Sequence, residues 1–291
     1  MPDKAVRASD QLEKQLTRRL ASLYSEALTL AMKRYKAFFQ KLQDVESGKI
    51  QPPAVYRDNP ELIAKWKQGF VQELLRQQQV IEGIAKDLAQ AGGKAEKQIR
   101  ETMREVYAIN REYTTEVVQS SPGVNISFAA YDKRQLDVLM QQNESPFSKI
   151  AYRNLGNDLK IRRRLQNEMA LSVMLGEDAR KLRKRIQKVT GQTARQAMRV
   201  ARTERTRVQS QARHQAMEEA ASLGVEMEQE WRTRMVNSRE THIAMNGQRQ
   251  PVGTAFQSPS GAVLRYPGDP SAPAKEVCNC HCMLIPRVIR R

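Results

Sequence analysis

The chain has 291 residues, and its 49 Lys and Arg against 32 Asp and Glu give a net charge of +17. The length permits one large or two small domains with a buried core, and a hydrophobic content of 40% excludes a wholly disordered chain. The sequence has no stretch of about 18 apolar residues and no apolar N-terminal segment, so we expect neither a membrane span nor a secretory signal.

The cysteines and the charge each indicate an environment. All three cysteines lie within residues 278–282, so they cannot form a disulfide framework across the chain. A reducing cytoplasm is therefore the expected compartment. The positive charge predicts a polyanionic partner, with nucleic acid first and an acidic protein second.

The first part of the chain is predicted to be helical. Leucine and alanine recur at helical spacing over residues 9–45, which predicts one long helix with Ser9 as its N-cap. The segment 51–60 contains paired prolines, which cannot continue a helix.

A second helix is expected to start at Pro60, because Asn59 suits the N-cap and proline suits the first helical position. Its apolar stripe continues to the pair 92–93, two glycines at which we expect it to end, and a third helix follows. These lengths predict a helical hairpin or coiled arm over residues 1–118, which would also suit self-association.

The turn-like segment 119–125 is the expected boundary to a basic helical segment over residues 119–223. Glycines at 176 and 191 are expected to separate some of its helices. The predicted helices are 132–142, 145–173, 177–189 and 192–222.

Most of the excess charge lies between Lys160 and Arg213, where 16 basic residues accompany 4 acidic ones. Three later arginines, Arg195, Arg199 and Arg202, share one helix face, and the same series continues through Arg205, Arg207 and Arg213. The residues that we predict to contact nucleic acid are Arg162, Arg163, Arg164, Arg180, Lys181, Arg183, Lys184, Arg185 and Lys188. A solvated face, or pairing with an acidic partner, is the alternative. The chain has no recognised DNA-binding motif, so sequence-specific readout is not expected.

The pattern changes at Gly224. Residues 225–235 alternate strictly, which predicts a half-buried strand with Trp231 on the inner face and its glutamates on the solvent side. Those glutamates are Glu226, Glu228 and Glu230. Short strands are also expected around 263–266 and 278–289, the first of them after a hairpin loop at 258–261.

The predicted fold class is therefore α+β. It consists of a mainly α-helical body with long N-terminal helices and a small C-terminal α+β module, residues 224–291, with short antiparallel strands.

The Cys-Asn-Cys-His-Cys run is the densest candidate chemistry. If the run is extended, the thiols of Cys278, Cys280 and Cys282 point to one face, and His242 is the obvious donor from elsewhere. Thiolate and imidazole are typical zinc ligands, so these four residues are the predicted metal site. The spacing matches no standard zinc ribbon or finger. Buried reduced cysteines that pack as small apolar groups, or redox-linked pairing, remain the alternatives.

Several short motifs in this part of the chain resemble the phage Mu F-like minor head protein family. In chain order they are Ala201–Glu204, Trp231, Arg239–Gly247, Phe256, Tyr266–Pro270 and Asn279–Cys282. The resemblance covers roughly residues 120–288. It departs from the family at Asn237, where an acidic residue is frequent, at His281, which replaces an arginine, and at the additional Cys278.

The resemblance implies a structural role. Members of this family are low-copy components of tailed-phage heads that act in head morphogenesis. The implied partners are the portal protein, a major capsid or scaffolding protein and packaged double-stranded DNA, bound without sequence specificity. The implied locations are the virion head and, during assembly, the cytoplasm of the bacterial host.

Two other classes compete with this interpretation. One is a non-viral nucleic-acid-binding protein with a zinc-stabilised C-terminal module. The other is an ADP-ribosyltransferase-like enzyme, in which the Glu-x-Glu spacings of residues 226–230 and Arg202 would form the site. Because these glutamates read as the solvent face of a strand, we expect no enzymatic activity.

Overall fold

A computed structural model of the chain describes residues 2–76, 79–131, 133–142, 144, 146–175, 177, 179–235 and 238–289. It confirms the α+β class with a mainly helical body. The long and medium helices are α1 (Lys4–Glu46), α2 (Pro60–Arg76), α3 (Gln79–Gln119), α4 (Lys133–Gln142), α5 (Pro146–Leu155), α6 (Asp158–Met174) and α7 (Ala179–Ser222), with a 3-10 turn at Ala54–Tyr56. In the described part of the chain, no helix combines the length and the apolar character needed to cross a membrane.

The C-terminal module follows α7. Its elements are β1 (Met227–Arg232), α8 (Glu240–Ala244), β2 (Arg249–Pro251), β3 (Phe256–Gln257), β4 (Val263–Leu264), α9 (Ala274–Val277) and β5 (Met283–Val288). One antiparallel sheet has the strand order β2-β1-β5, and β3 pairs with β4 in a separate hairpin. Pro286, which cannot donate a ladder hydrogen bond, lies in the edge strand β5.

The chain divides into two compact units, each built from separate stretches of sequence. Unit 1 comprises Met1–Leu20, Ala95–Arg153 and Gln196–Arg291, and unit 2 comprises Ala21–Lys94 and Asn154–Arg195. The division into the segments 1–118, 119–223 and 224–291 stays a prediction.

The core of unit 1 lies under the sheet of the module. Trp231, Phe256, Tyr266 and Leu284 are buried there, together with Met217 of α7. The indole ring of Trp231 packs edge-on against Phe256 at 5.4 Å between ring centroids. The predicted inner position of Trp231 is therefore confirmed.

Several predicted helix boundaries are confirmed. The N-terminal helix and the break at 51–60 are present, and Asn59 caps α2 by accepting a hydrogen bond from the Glu61 amide at 2.9 Å. The prediction of Ser9 as an N-cap is wrong, because α1 starts at Lys4 and the Ser9 hydroxyl donates to the Ala5 carbonyl inside the helix.

Predicted helix ends at glycine are wrong at two places. Gly92 and Gly93 lie inside α3, and Gly191 lies inside α7. The predicted helix 145–173 is two helices, α5 and α6, which are separated near Gly156. The predicted break at Gly176 lies outside the described residues. Packing of the long helices thus overrides the weak helix propensity of glycine.

The prediction that the β1 glutamates face solvent is wrong for Glu230. Its side chain is only 2% exposed, because β1 is the central strand and its neighbours carry arginines. Arg287 donates to the carboxylate at 2.7 Å, and Arg232 and Arg249 also form ion pairs with it. Burial raises the pKa of Glu230, but the hydrogen bonds from Arg232 and Arg287 outweigh it and lower the pKa.

Substitution of Gly92 and of Gly93 in unit 2 should change the stability of the protein in opposite directions. A Cβ atom on Gly92 would lie 1.8 Å from the Leu155 carbonyl oxygen, whereas one on Gly93 would meet nothing within 4 Å. We expect Gly92→Ala to lower the free energy of unfolding by about 3 kcal/mol through overpacking. Gly93→Ala should raise it by about 0.5–1 kcal/mol, since alanine favours a helix interior.

Urea denaturation of both variants beside the parent protein measures the two effects. The close approach of α3 to the end of α5 is contradicted if the two substitutions change the unfolding free energy in the same direction.

Candidate functional site

Three predicted metal ligands meet in the core of unit 1. The donor atoms of His242, Cys280 and Cys282 all lie within 4.8 Å of one another, and all three residues are buried. The His242 Nδ1 atom is 3.6 Å from the Cys280 sulfur and 3.4 Å from the Cys282 sulfur. A tetrahedral zinc ion would separate such nitrogen and sulfur donors by about 3.5 Å. This donor group could hold a metal.

Cys278 lies apart from this group. Its side chain is half-buried, and its carbonyl oxygen accepts a hydrogen bond from Arg239. The chain leaves the extended conformation directly after it, because Asn279 has a φ of 58°. Asparagine tolerates this left-handed conformation better than most residues. The turn separates Cys278 from the two other thiols, which the assumption of one straight strand could not anticipate.

A carboxylate orients the histidine. The Glu276 Oε2 atom lies 2.8 Å from His242 Nε2, and its Oε1 atom accepts a hydrogen bond from the Ser260 hydroxyl at 2.8 Å. The ring of Trp231 packs edge-on against His242 at 5.2 Å. An acidic partner on the second ring nitrogen is the usual support of a metal-binding histidine. Glu276 is not predictable from the sequence, since nothing in its spacing relates it to His242.

The three donors of the group differ in ionisation. A hydrogen bond from Cys282 lowers the pKa of Cys280, and His242 lowers it further. The same hydrogen bond, together with burial, raises the pKa of Cys282. Burial lowers the pKa of His242, but the interactions with Cys280 and Glu276 outweigh it and raise the pKa. One thiolate is thus favoured beside the imidazole, as a metal ligand requires.

Helix α7 holds the backbone of the cysteine run. The Thr206 hydroxyl donates to the Cys280 carbonyl at 2.5 Å, and the Thr203 hydroxyl accepts from the Asn279 amide at 2.9 Å. Arg202 donates to the Asn279 side chain at 3.0 Å. The motif Ala201–Glu204 is therefore joined to the motif Asn279–Cys282 by direct hydrogen bonds.

Asp269 has a structural role in the Tyr266–Pro270 turn. The Asp269 carboxylate accepts hydrogen bonds from the backbone amides of Arg265 and Ser271, at 2.8 and 3.0 Å. Gly268, with a φ of 81°, lies so close to α7 that a Cβ atom would be 2.9 Å from the Arg207 Cα. The turn therefore depends on a glycine where it packs against the helix.

The predicted nucleic-acid-binding residues of unit 2 fall into two groups. Arg162 forms ion pairs with Glu82 and Asp158 at 3.4 and 3.6 Å. Arg185 joins Glu168 and Glu177, and Lys188 joins Glu168. The remaining members are exposed, apart from the half-buried Arg164; they are Arg163, Arg180, Lys181, Arg183 and Lys184.

The later arginine series does not form one solvent-facing stripe. Arg205, Arg207 and Arg213 are buried in unit 1. Their carboxylate partners are Asp10, Glu204 and Asp3, respectively. These three residues lie outside the predicted stripe of Arg195, Arg199 and Arg202, and they are buried because the helix face that carries them packs into the core.

The part of the chain that contains the donor group also resembles a known family. Residues 163–285, less than half of the chain, match the family model described as Phage Mu protein F like protein. The match confirms the predicted resemblance, and this family suggests a phage head morphogenesis protein. Neither the curated proteins nor the solved structures contain a significant match. Asn237, where the sequence departs from the family, lies outside the described residues.

The group of three donors leads to a testable prediction about the metal content of the protein. Purified protein should carry about one equivalent of metal, zinc in the first place, and His242→Ala and Cys282→Ala should lose it and lower the melting temperature. Cys278→Ala is the matched control, and it should keep the metal because Cys278 lies outside the group. Glu276→Gln should weaken metal affinity by about 10–100-fold.

Elemental mass spectrometry and thermal denaturation of the same preparations test these outcomes. Protein that is free of metal, with a melting temperature that a chelator does not change, would contradict the metal centre. Loss of metal in Cys278→Ala would instead restore the four-residue site predicted from the sequence.

Proposed function

We propose that the chain is a minor head protein of a tailed phage, which acts in head morphogenesis at the portal and the interior of the procapsid. Its partners would be the portal protein and a major capsid or scaffolding protein, and it would contact packaged double-stranded DNA without sequence specificity. Its locations would be the host cytoplasm during assembly and then the virion head. The single observation that carries the proposal is the family match over residues 163–285.

The geometry of unit 1 supports a structural role. The motifs that resemble the family take part in packing and in internal hydrogen bonds. Examples are the hydrogen bonds between α7 and residues 279–282 and the packing of the turn at 266–270 against α7. We propose zinc as the metal of the His242–Cys280–Cys282 group, because thiolate and imidazole donors at these separations suit it. Zinc would cross-link α8 to the start of β5 and so contribute to folding.

The enzyme alternative has less support. The Glu-x-Glu spacing ends at Glu230, whose carboxylate is buried. It forms ion pairs with one arginine on each neighbouring strand and with a third arginine on β1. Arg202, its imagined partner, pairs with Glu13 and Asn279. Because both side chains are engaged in these ion pairs and hydrogen bonds, we propose no catalytic role for them. The non-viral nucleic-acid-binding alternative rests on the exposed basic residues of unit 2.

The proposed function predicts the composition of phage particles. Mass spectrometry of density-purified heads from the phage or prophage that encodes this chain should detect it at low stoichiometry relative to the major capsid protein. Its absence from both procapsids and mature heads would overturn the proposal. Its presence in procapsids alone would contradict the virion location and make it an assembly factor that leaves.

The two groups of basic residues allow a sharper DNA-binding test. A variant with glutamine at Arg163, Arg180, Arg183 and Lys184 removes exposed charges and keeps the ion pairs of Arg162 and Arg185. If these residues contact phosphates, the slope of binding against salt should fall by roughly one for each contact that is lost.

The matched control removes four positive charges elsewhere in unit 2, and its substituted residues are Lys65, Lys67, Lys86 and Lys94. Electrophoretic mobility shift with duplex DNA at several salt concentrations measures both variants. An unchanged slope in the first variant assigns the exposed cluster to protein contacts. Tight binding by the parent protein, abolished in that variant, would favour the non-viral alternative.

A further inference from the structure

A groove in unit 2 combines a basic rim with an apolar floor. It lies between α1 and the first turns of α7 and has a volume of about 710 Å³. Lys33 and Lys36 of α1, together with Arg180 and Arg183 of α7, line it and are exposed. Among the described residues that line the groove, none is acidic.

The floor of the groove comes from one face of α1. Leu28, Met32 and Tyr35 are spaced four and three residues apart, so they follow one another along the helix on the same side. Leu28 and Met32 are half-buried, and the Tyr35 side chain is buried. The half-buried Leu28 and Met32 therefore offer apolar surface, at the helical spacing with which a groove contacts an amphipathic helix.

We propose that this groove binds an acidic amphipathic helix of a partner protein. Its apolar stripe would lie on Leu28 and Met32, and its carboxylates would pair with the rim on either side. The complementarity is specific to this class of ligand, because a phosphodiester backbone would satisfy the rim and leave the apolar floor without a matching surface. The proposal goes beyond the proposed function, since it assigns one groove to a ligand of stated chemistry and holds whether or not the chain enters the virion.

Two residues of the rim belong to the basic cluster that is predicted to contact nucleic acid. Arg180 and Arg183 lie on the same side of α7, three residues apart, and meet two lysines from a distant part of the sequence. Four cations around an apolar floor fit a partner with charge on both flanks of an apolar stripe. The exposed Arg163 is not part of this rim and stays available for DNA.

The probe for the test is a synthetic helical peptide of about 18 residues, with leucine at the i, i+3, i+4, i+7 spacing and glutamate on both flanks. A scrambled peptide of the same composition keeps the charge and loses the apolar stripe. Fluorescence anisotropy with the full chain, at about 50 and 200 mM salt, measures binding of each peptide and of a labelled DNA duplex.

Two variants separate the rim from the floor. Lys33→Glu with Lys36→Glu reverses charge on the rim, and Leu28→Gln with Met32→Gln makes the floor polar. Each should weaken binding of the amphipathic peptide by about tenfold or more. The control variant, Lys65→Glu with Lys86→Glu, makes the same charge change outside the groove and should bind as the parent does. Circular dichroism confirms that each variant is folded.

Preference for the amphipathic peptide over the scrambled one, lost in both groove variants, supports the proposal. Equal binding of the two peptides overturns it, as does an unaffected floor variant. If duplex DNA binding is lost in the rim variant and kept in the floor variant, while neither peptide binds, the groove is a nucleic-acid site. None of these outcomes depends on whether the chain is found in phage particles.

Discussion

Burial of charge along α7 is the constraint on which unit 1 depends. Arg205, Arg207 and Arg213 are each less than 5% exposed, and a buried guanidinium is costly unless carboxylates and hydrogen bonds satisfy it. Asp3 and Asp10 at the start of α1 supply two of the partners. The N-terminal residues are thereby tied to a helix about 200 positions later in the sequence.

The same helix organises the C-terminal module. Arg213 also donates to the Leu284 carbonyl at 3.0 Å, and Thr206 donates to the Cys280 carbonyl, so α7 touches both ends of the segment that contains Cys282. This attachment brings two thiols to His242 without a metal-binding loop of ordinary spacing. The backbone contacts and the donor group lie in the same segment, so each holds the other in place.

The fold is predictable from the sequence where a local pattern is sufficient, and it is not where a distant neighbour decides the outcome. Asn59 and Pro60 specify a helix start through their own chemistry, and Trp231 is placed inward by simple alternation. Glu230 follows the same alternation and is nevertheless buried, because arginines on both neighbouring strands neutralise it. Gly92 would end an isolated helix, but here it permits the close approach of the Leu155 carbonyl.

The sequence by itself determined the helical body, the small antiparallel module, the positive charge and the identity of three metal-ligand candidates. These properties depend on composition, on periodicity and on side-chain chemistry, all of which are local. Only the tertiary structure decided which arginines are buried, that Cys278 lies outside the donor group, and that Glu276 orients His242. The partners of Arg205, Arg213 and His242 lie 34 to 210 positions away in the sequence, and their meeting follows from packing and charge neutralisation, which a linear pattern does not encode.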